Sequence, residues 1–111
     1  AVTKSFTLDG TGDYLEMSDY AGFDFGSNSM TLEIMCRMTS IPGDVYYIDF
    51  TGGNGGDNHF GINTYAGSWR VGNFSTGLIG GPHTLTTNTD YYIAMVRSGN
   101  TLTLRVNGVQ I

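Results

Sequence analysis

The sequence predicts an all-β chain, folded as two packed antiparallel sheets in a β-sandwich or jelly roll, and three observations predict it. The 111 residues include 17 Gly and only 2 Pro, and 13% are aromatic, a composition typical of strands and turns. Apolar residues recur at every second position rather than at every third and fourth. About eight or nine short strands follow one another, with turn signals at roughly 8–12-residue spacing.

The first third of the chain is predicted to form a hairpin, a loop and a central strand. Residues 3–8 and 14–17 are short strand patterns, and the turn residues of 9–13 connect them. Residues 18–29 are typical of a loop held in place by aromatic side chains. Residues 30–38 form the longest alternating run, which predicts a central strand.

The middle of the chain combines short aromatic strands with Gly-rich connections. Residues 51–58 hold four glycines in eight positions, which predicts a mobile surface loop because glycine loses much backbone entropy on ordering. Residues 75–81 are predicted to be another flexible connection, and 82–86 are compatible with a further strand. The predicted strands of this part are 45–50, 59–63 and 68–74, and the predicted turns are 41–44 and 64–67.

The last stretch of the chain gives the clearest strand signals. Residues 91–97 alternate, residues 98–100 form a turn, and residues 101–107 alternate with apolar side chains on one face and polar side chains on the other. Asn107-Gly108 is a strong hairpin signal, because both residues tolerate a positive φ. Residues 109–111 are therefore predicted to begin a third strand.

The net charge limits the possible partners, and the cysteine content limits the possible disulfides. The net charge is −5, which disfavours nucleic acid and anionic membranes and favours a neutral or cationic partner. Cys36 is the single cysteine, so no internal disulfide is possible, and its strand position predicts a buried small hydrophobe. The chain shows no signal peptide and no apolar run long enough to insert into a membrane.

Four segments resemble, in order and spacing, the laminin-G-like or concanavalin A-like jelly-roll modules. They are residues 5–15 (SFTLDGTGDYL), 23–26 (FDFG), 30–34 (MTLEI) and 91–108. The resemblance implies two curved antiparallel sheets, with ligands held on the concave sheet or on rim loops. Such modules recur in lectins, pentraxins, adhesion proteins and phage tail proteins, so the resemblance implies an extracellular or virion-surface location and does not imply an enzyme.

The resemblance also bears on domain organisation. Residues 1–111 are predicted to form a single laminin-G-like domain. Modules of this family continue past the Asn-Gly hairpin with further strands, so the chain is expected to lack the usual C-terminal strands. An open sheet edge invites pairing with another chain, which predicts a homo-oligomer.

Catalysis is not predicted. Concanavalin A-like hydrolases carry a Glu-x-Asp-x-x-Glu run on one strand, and a glycosidase needs two carboxylates across its cleft. The two glutamates, Glu16 and Glu33, are not followed by that pattern. His59 and His83 lie in Gly-rich segments without a nucleophile motif. No catalytic residues are therefore predicted.

A calcium site is a hypothesis for the Gly-rich loop, although no cofactor is predicted outright. Asn54, Asp57 and Asn58 offer the hard oxygen ligands that calcium prefers. Related laminin-G-like and pentraxin modules often hold calcium at the rim, which the resemblance extends to this loop. A solvated Gly/Asn/Asp turn explains the same residues, and the EF-hand spacing is absent.

Sugar binding requires aromatic platforms together with amides or carboxylates that reach hydroxyl groups. Residues of both kinds cluster in the middle third, next to the Gly-rich loops. The alternative is that these aromatic side chains fill the core between the sheets. The predicted ligand-binding residues are Trp69, Tyr65, Tyr46, Tyr47, His59, Asn63 and Asn73.

The leading interpretation is therefore a non-enzymatic, lectin-like carbohydrate-recognition module. The alternative is a structural or adhesion module of a viral tail fibre or a cell-surface assembly, which contacts protein rather than glycan. The two differ at Trp69: sugar binding predicts an exposed indole beside unpaired amides, and the structural alternative predicts a buried one.

Overall fold

The computed structural model describes residues 4–18, 27–41, 43–50, 60–73, 77–80 and 83–111. Within these ranges the chain is all-β, with eight strands in two four-stranded antiparallel sheets, which confirms the predicted fold class. No helix in this part of the chain is long and apolar enough to cross a membrane. The strands are β1 (Met30–Arg37), β2 (Val45–Asp49), β3 (Phe60–Tyr65), β4 (Ser68–Asn73), β5 (Gly77–Gly80), β6 (Asp90–Ser98), β7 (Thr101–Val106) and β8 (Val109–Gln110).

The first sheet has the strand order β1-β6-β7-β8. Strand β1 alternates between half-buried and exposed positions along its whole length, as the sequence predicts. Ile34 lies opposite Ile93, and Ile93 lies opposite Val106, so one face of three strands is apolar. Cys36 is half-buried on this face, and burial raises the pKa of its thiol to about 11.

The second sheet has the order β2-β3-β4-β5 and consists of strands that are consecutive in sequence. The β3–β4 hairpin turns through Ala66 and Gly67, whose φ angles of 48° and 77° suit a two-residue turn. Strand β3 therefore extends two residues beyond the predicted 59–63, because Thr64 and Tyr65 pair with Trp69 and Ser68.

The core lies between the two sheets. The second sheet contributes Ile62, Trp69 and Val71, all fully buried, and the first sheet contributes the similarly buried Met95 and Leu104. Burial of side chains this large stabilises the fold by roughly 1.5–3 kcal/mol each.

Three sequence predictions about local structure are wrong. Residues 4–18 contain no strand, although Thr11 N–H donates to Asp9 Oδ1 over 2.7 Å in the predicted turn. The apolar side chains of this segment are exposed, Phe6 at 82%, since no described strand pairs with it. Residues 83–86 are not a strand, whereas Gly77–Gly80 form β5 because this segment pairs with β4.

Candidate functional site

Strand alternation separates the predicted ligand-binding residues into two groups. Tyr46 on β2 lies opposite Asn63 on β3, and Asn63 lies opposite Arg70 on β4. Opposed residues of an antiparallel pair share a face, so these three side chains form a row across the sheet, here called the polar row. Their neighbours Ile62 and Trp69 point into the core. The polar row therefore occupies the side of the second sheet that faces away from the first.

Tyr65 and Arg70 extend this row toward the β3–β4 turn. The guanidinium carbon of Arg70 lies 3.9 Å from the centre of the Tyr65 ring, within the range of a cation–π contact. Tyr65 is 46% exposed, and Arg70 is half-buried. The stack holds a cationic group beside an aromatic surface that solvent can reach.

Asn63 is the most buried member of the polar row. Its side chain is 2% exposed, and its Oδ1 has no hydrogen-bond partner among the residues that the structure describes. A buried amide oxygen without a partner costs roughly 1–3 kcal/mol. Natural proteins satisfy most such groups, which makes this oxygen a candidate hydrogen-bond acceptor for a ligand.

Tyr46 is placed among charged neighbours. Its pKa is raised above the ordinary value, first by burial and then by the negative charge of Asp49, while Arg70 acts in the opposite direction. The phenol is therefore neutral at physiological pH, and its O–H can both donate and accept a hydrogen bond. Asp49 follows Tyr46 on the same strand and adds a carboxylate near the row.

Trp69 and Tyr47 belong to the core rather than to the polar row. Trp69 is 0% exposed, with its ring centre 4.9 Å from that of Tyr47 and 5.7 Å from that of Tyr91. The Tyr47 hydroxyl donates to the sulfur of Met38 over 2.7 Å, and burial raises its pKa to about 12. Because aromatic rings cover it, the Trp69 indole offers no stacking surface to a sugar in this structure.

The remaining predicted positions lie outside the described residues. These are His59 and the three residues of the hypothesised calcium loop, Asn54, Asp57 and Asn58. Asn73 is the last residue of β4, but its side chain also lies outside the part of the chain that the structure describes. No group of three or more metal-binding side chains occurs in the part of the chain that is described. The calcium hypothesis therefore stays a prediction.

Sequence reasoning missed Arg70 and Asp49. Both lie on strands whose alternation was visible in the sequence. Arg70 sits between Trp69 and Val71, so the period of two already places it on the opposite face from these apolar neighbours. The prediction was based on aromatic residues, and two of these, Trp69 and Tyr47, pack in the core.

Comparison with known proteins assigns the family. Residues 9–111 match the family model Laminin_G_3, described as the concanavalin A-like lectin/glucanases superfamily. The chain belongs to this superfamily. The match covers both sheets of the concanavalin A-like domain and confirms the resemblance seen in the sequence. No curated protein and no solved structure gave a match. Because the superfamily name covers lectins and glucanases alike, membership determines the fold and leaves the activity to the site.

Proposed function

We propose that this chain is a non-enzymatic carbohydrate-recognition module that binds glycan over the polar row. The observation that carries the proposal is the buried, unpaired Oδ1 of Asn63, flanked in register by Tyr46 and Arg70. Because this oxygen is buried, a sugar hydroxyl reaches it only when the groups that cover it move, and the new hydrogen bond would then remove the cost of its burial. No comparable gain is available to an apolar ligand.

The neighbours of Asn63 supply the other elements of sugar recognition. The Tyr46 hydroxyl and the Asp49 carboxylate offer polar atoms at one end of the row, and the exposed Tyr65 ring offers an apolar surface at the other. This combination suits a pyranose, which has an apolar face and a hydroxyl-bearing edge. The net charge of −5 favours a neutral glycan over an acidic one.

The placement of the glutamates supports a non-enzymatic role. Glu33 accepts a hydrogen bond from the Tyr92 hydroxyl on the first sheet, and Glu16 is exposed in the N-terminal segment. Neither lies on the strands of the polar row, whereas glycoside hydrolysis uses two carboxyl groups that flank the scissile bond. Asp49 is the carboxylate nearest to Tyr46 on β2 and by itself does not make such a pair.

A glycan array tests this proposal, run with calcium and again with a chelator. The test variants are Asn63→Leu, which replaces the amide by an apolar group of similar shape, and Tyr46→Phe, which removes one hydroxyl. The matched control is Glu33→Gln on the opposite sheet. We expect wild type and control to bind, Asn63→Leu to lose at least about tenfold in affinity and Tyr46→Phe to lose less.

Two results of the array would change this interpretation. Equal binding by wild type and Asn63→Leu, with both folded by circular dichroism, would place the glycan site elsewhere. Loss of binding on chelation alone would support calcium held by Asn54, Asp57 and Asn58. Trp69→Ala is unsuitable as a site control because Trp69 fills the core.

A second candidate function, a structural or adhesion module at a cell or virion surface, is favoured by two observations. Trp69 is buried, as that alternative predicts, and the N-terminal segment exposes large apolar side chains. Contact with protein would cover them and remove apolar surface from water.

Light scattering over a concentration series tests this second function. The wild type is expected to self-associate, and the double variant Phe6→Ser/Leu15→Ser is expected to remain monomeric. A monomeric wild type at every concentration argues against association between copies.

A further inference from the structure

The edges of the two sheets differ in how they are protected against pairing with another strand. The edge strands are β1 and β8 in the first sheet and β2 and β5 in the second. Strands β8 and β5 are two and four residues long, and β2 is interrupted by a bulge between Tyr46 and Ile48. Short edges and bulges keep sheets from adding strands. Strand β1 has neither feature, because its eight residues pair with β6 without a register shift.

The pairing of β6 identifies which backbone groups of β1 face its open edge. The Tyr92 N–H donates to Asn107 Oδ1 and its carbonyl accepts the Asn107 N–H, both over 2.8 Å, so the Tyr92 backbone groups point away from β1. Met35 lies opposite Tyr92, and in such a pair the backbone groups of both residues point away from each other. The N–H and C=O of Met35 therefore face the edge, where no strand of the described chain pairs with them.

The core is less completely covered at β1 than one strand further into the sheet. Ile93 and Met95 on β6 are 0% exposed. The side chains that β1 packs against the same core are only half-buried, and they are Met30, Leu32, Ile34 and Cys36. An added strand with apolar side chains on this face would remove more of the row from water.

The N-terminal segment carries a strand pattern of the required kind. Residues 5–8, SFTL, alternate, and Phe6 and Leu8 share one face at 82% and 53% exposure. These residues form no strand in the structure and do not pair with β1 of their own chain. Residues 5–8 are uncharged, whereas the second pattern, 14–17, would place Glu16 on the same face as Glu33. Residues 5–8 therefore fit this edge better.

We propose that residues 5–8 of a second copy of this chain add as a strand along the open edge of β1, where Phe6 and Leu8 extend the half-buried row. Each copy has one such segment and one such edge, so a reciprocal exchange closes as a symmetric dimer. The proposal rests on the second candidate function, association between copies, and names the two surfaces that associate. It is independent of glycan binding, because β1 and the polar row belong to different sheets.

Sedimentation equilibrium from roughly 1 μM to 1 mM tests the edge. The wild type is expected to show a monomer–dimer equilibrium. Met35→Pro removes the N–H that faces the open edge and keeps the pairing with β6, and the side chain that it replaces is 60% exposed. We expect this variant to dimerise at least about tenfold more weakly. The matched control Met35→Ala keeps the N–H and is expected to dimerise as the wild type does.

A second pair of variants tests the segment. Phe6→Lys places a charge on the face that packs beside the apolar row, so it is expected to abolish the dimer. Thr7→Lys places the same charge on the opposite face of the added strand, and its dimer is expected to persist. Both positions lie outside the eight strands, so this pair decides the test even where Met35→Pro proves unfolded by circular dichroism.

Isotope-filtered NMR locates the contact in a mixed sample of labelled and unlabelled copies. We expect nuclear Overhauser effects between residues 5–8 of one copy and residues 30–37 of the other. The same effects within a single copy would show that the segment pairs with its own β1, which would overturn the exchange between copies.

The remaining outcomes separate this proposal from the function on which it rests. A wild type that is monomeric at every concentration would reject both association and the exchange. A dimer that Met35→Pro and Phe6→Lys leave unchanged, with both variants folded, would keep association and reject this edge. Neither result depends on glycan binding at the polar row.

Discussion

Polar side chains on the outward faces of the two sheets differ in their exposure and in their hydrogen bonding. On the first sheet, Arg37 pairs with Asp90 over 2.8 Å, and the Tyr92 hydroxyl donates to Glu33, all at exposed positions. On the second sheet, Asn63 is buried with its Oδ1 unpaired among the described residues. Water serves an exposed group at little cost, whereas a buried unpaired oxygen is costly. The comparison separates an ordinary solvated face from one that carries a buried amide oxygen without a partner among the described residues.

The largest expected effect concerns the core beneath the polar row. Trp69→Ala removes a fully buried ring that packs between Tyr47 and Tyr91, and it should lower the free energy of unfolding by about 3–5 kcal/mol. Urea denaturation followed by circular dichroism measures this. A loss of less than about 1 kcal/mol would mean that the indole is not a core residue and would reopen its use as a sugar platform.

Two asparagines, Asn63 on the second sheet and Asn107 in the turn between β7 and β8 of the first, provide the next test. Asn63→Leu removes a buried amide whose Oδ1 has no partner among the described residues, and it should leave stability unchanged or raise it by about 1 kcal/mol. Asn107→Leu should lower stability by roughly 1–3 kcal/mol, since Asn107 Oδ1 accepts the Tyr92 N–H over 2.8 Å and its φ is 49°. Both are measured by chemical denaturation, and equal losses would remove the distinction between the two amides.

Alkaline pH should weaken the packing between the sheets. The pKa of Tyr47 in the folded chain is about 12, above its ordinary value of about 10, so the folded state holds this proton more tightly. The resulting stabilisation is complete below about pH 10 and is lost as the pH rises toward 12. The half-buried Cys36 thiol, with its pKa of about 11, contributes in the same direction.

The variant Tyr47→Phe tests this pH dependence. Its melting temperature should fall less steeply than that of the wild type between about pH 10 and 12, because one of the groups whose pKa is raised in the folded state is gone. Parallel curves for wild type and variant would show that Tyr47 does not titrate differently in the folded and unfolded states.

The smallest expected effect is on the outward face of the first sheet. Asp90→Asn breaks the ion pair with Arg37. The Asp90 side chain is 72% exposed and the Arg37 side chain is 57% exposed. Solvent and salt screen such pairs, so the change should be at most about 0.5 kcal/mol and should shrink at high salt. A loss of several kcal/mol in thermal or urea unfolding would show that this face is less solvated than its exposure indicates.

Much of the fold follows from alternation, but not all of it. Strand β1, the pair β6–β7 and the Asn107-Gly108 turn were predictable, because each pattern is local. Strand β5 was not predictable, because the four residues GLIG are too few to show a periodic pattern. This segment is a strand because it pairs with β4.

The candidate sites were predictable only in part. The sequence predicts Tyr46, Asn63 and Tyr65, which the fold places on the outward face of the second sheet, and also Trp69 and Tyr47, which the fold places in the core. Alternation separates the two faces of a strand but does not tell which face meets the other sheet.

The order of strands along the chain has a consequence for folding kinetics. Met30 pairs with Arg97 and Arg37 pairs with Asp90, so the entire second sheet lies within the loop that this pairing closes. Closing so long a loop is entropically costly, whereas β2 to β5 pair with their sequence neighbours. We therefore expect the second sheet to nucleate folding. In stopped-flow experiments, Val71→Ala should slow refolding, and Ile34→Val should mainly accelerate unfolding; the reverse pattern would place the nucleus in the first sheet.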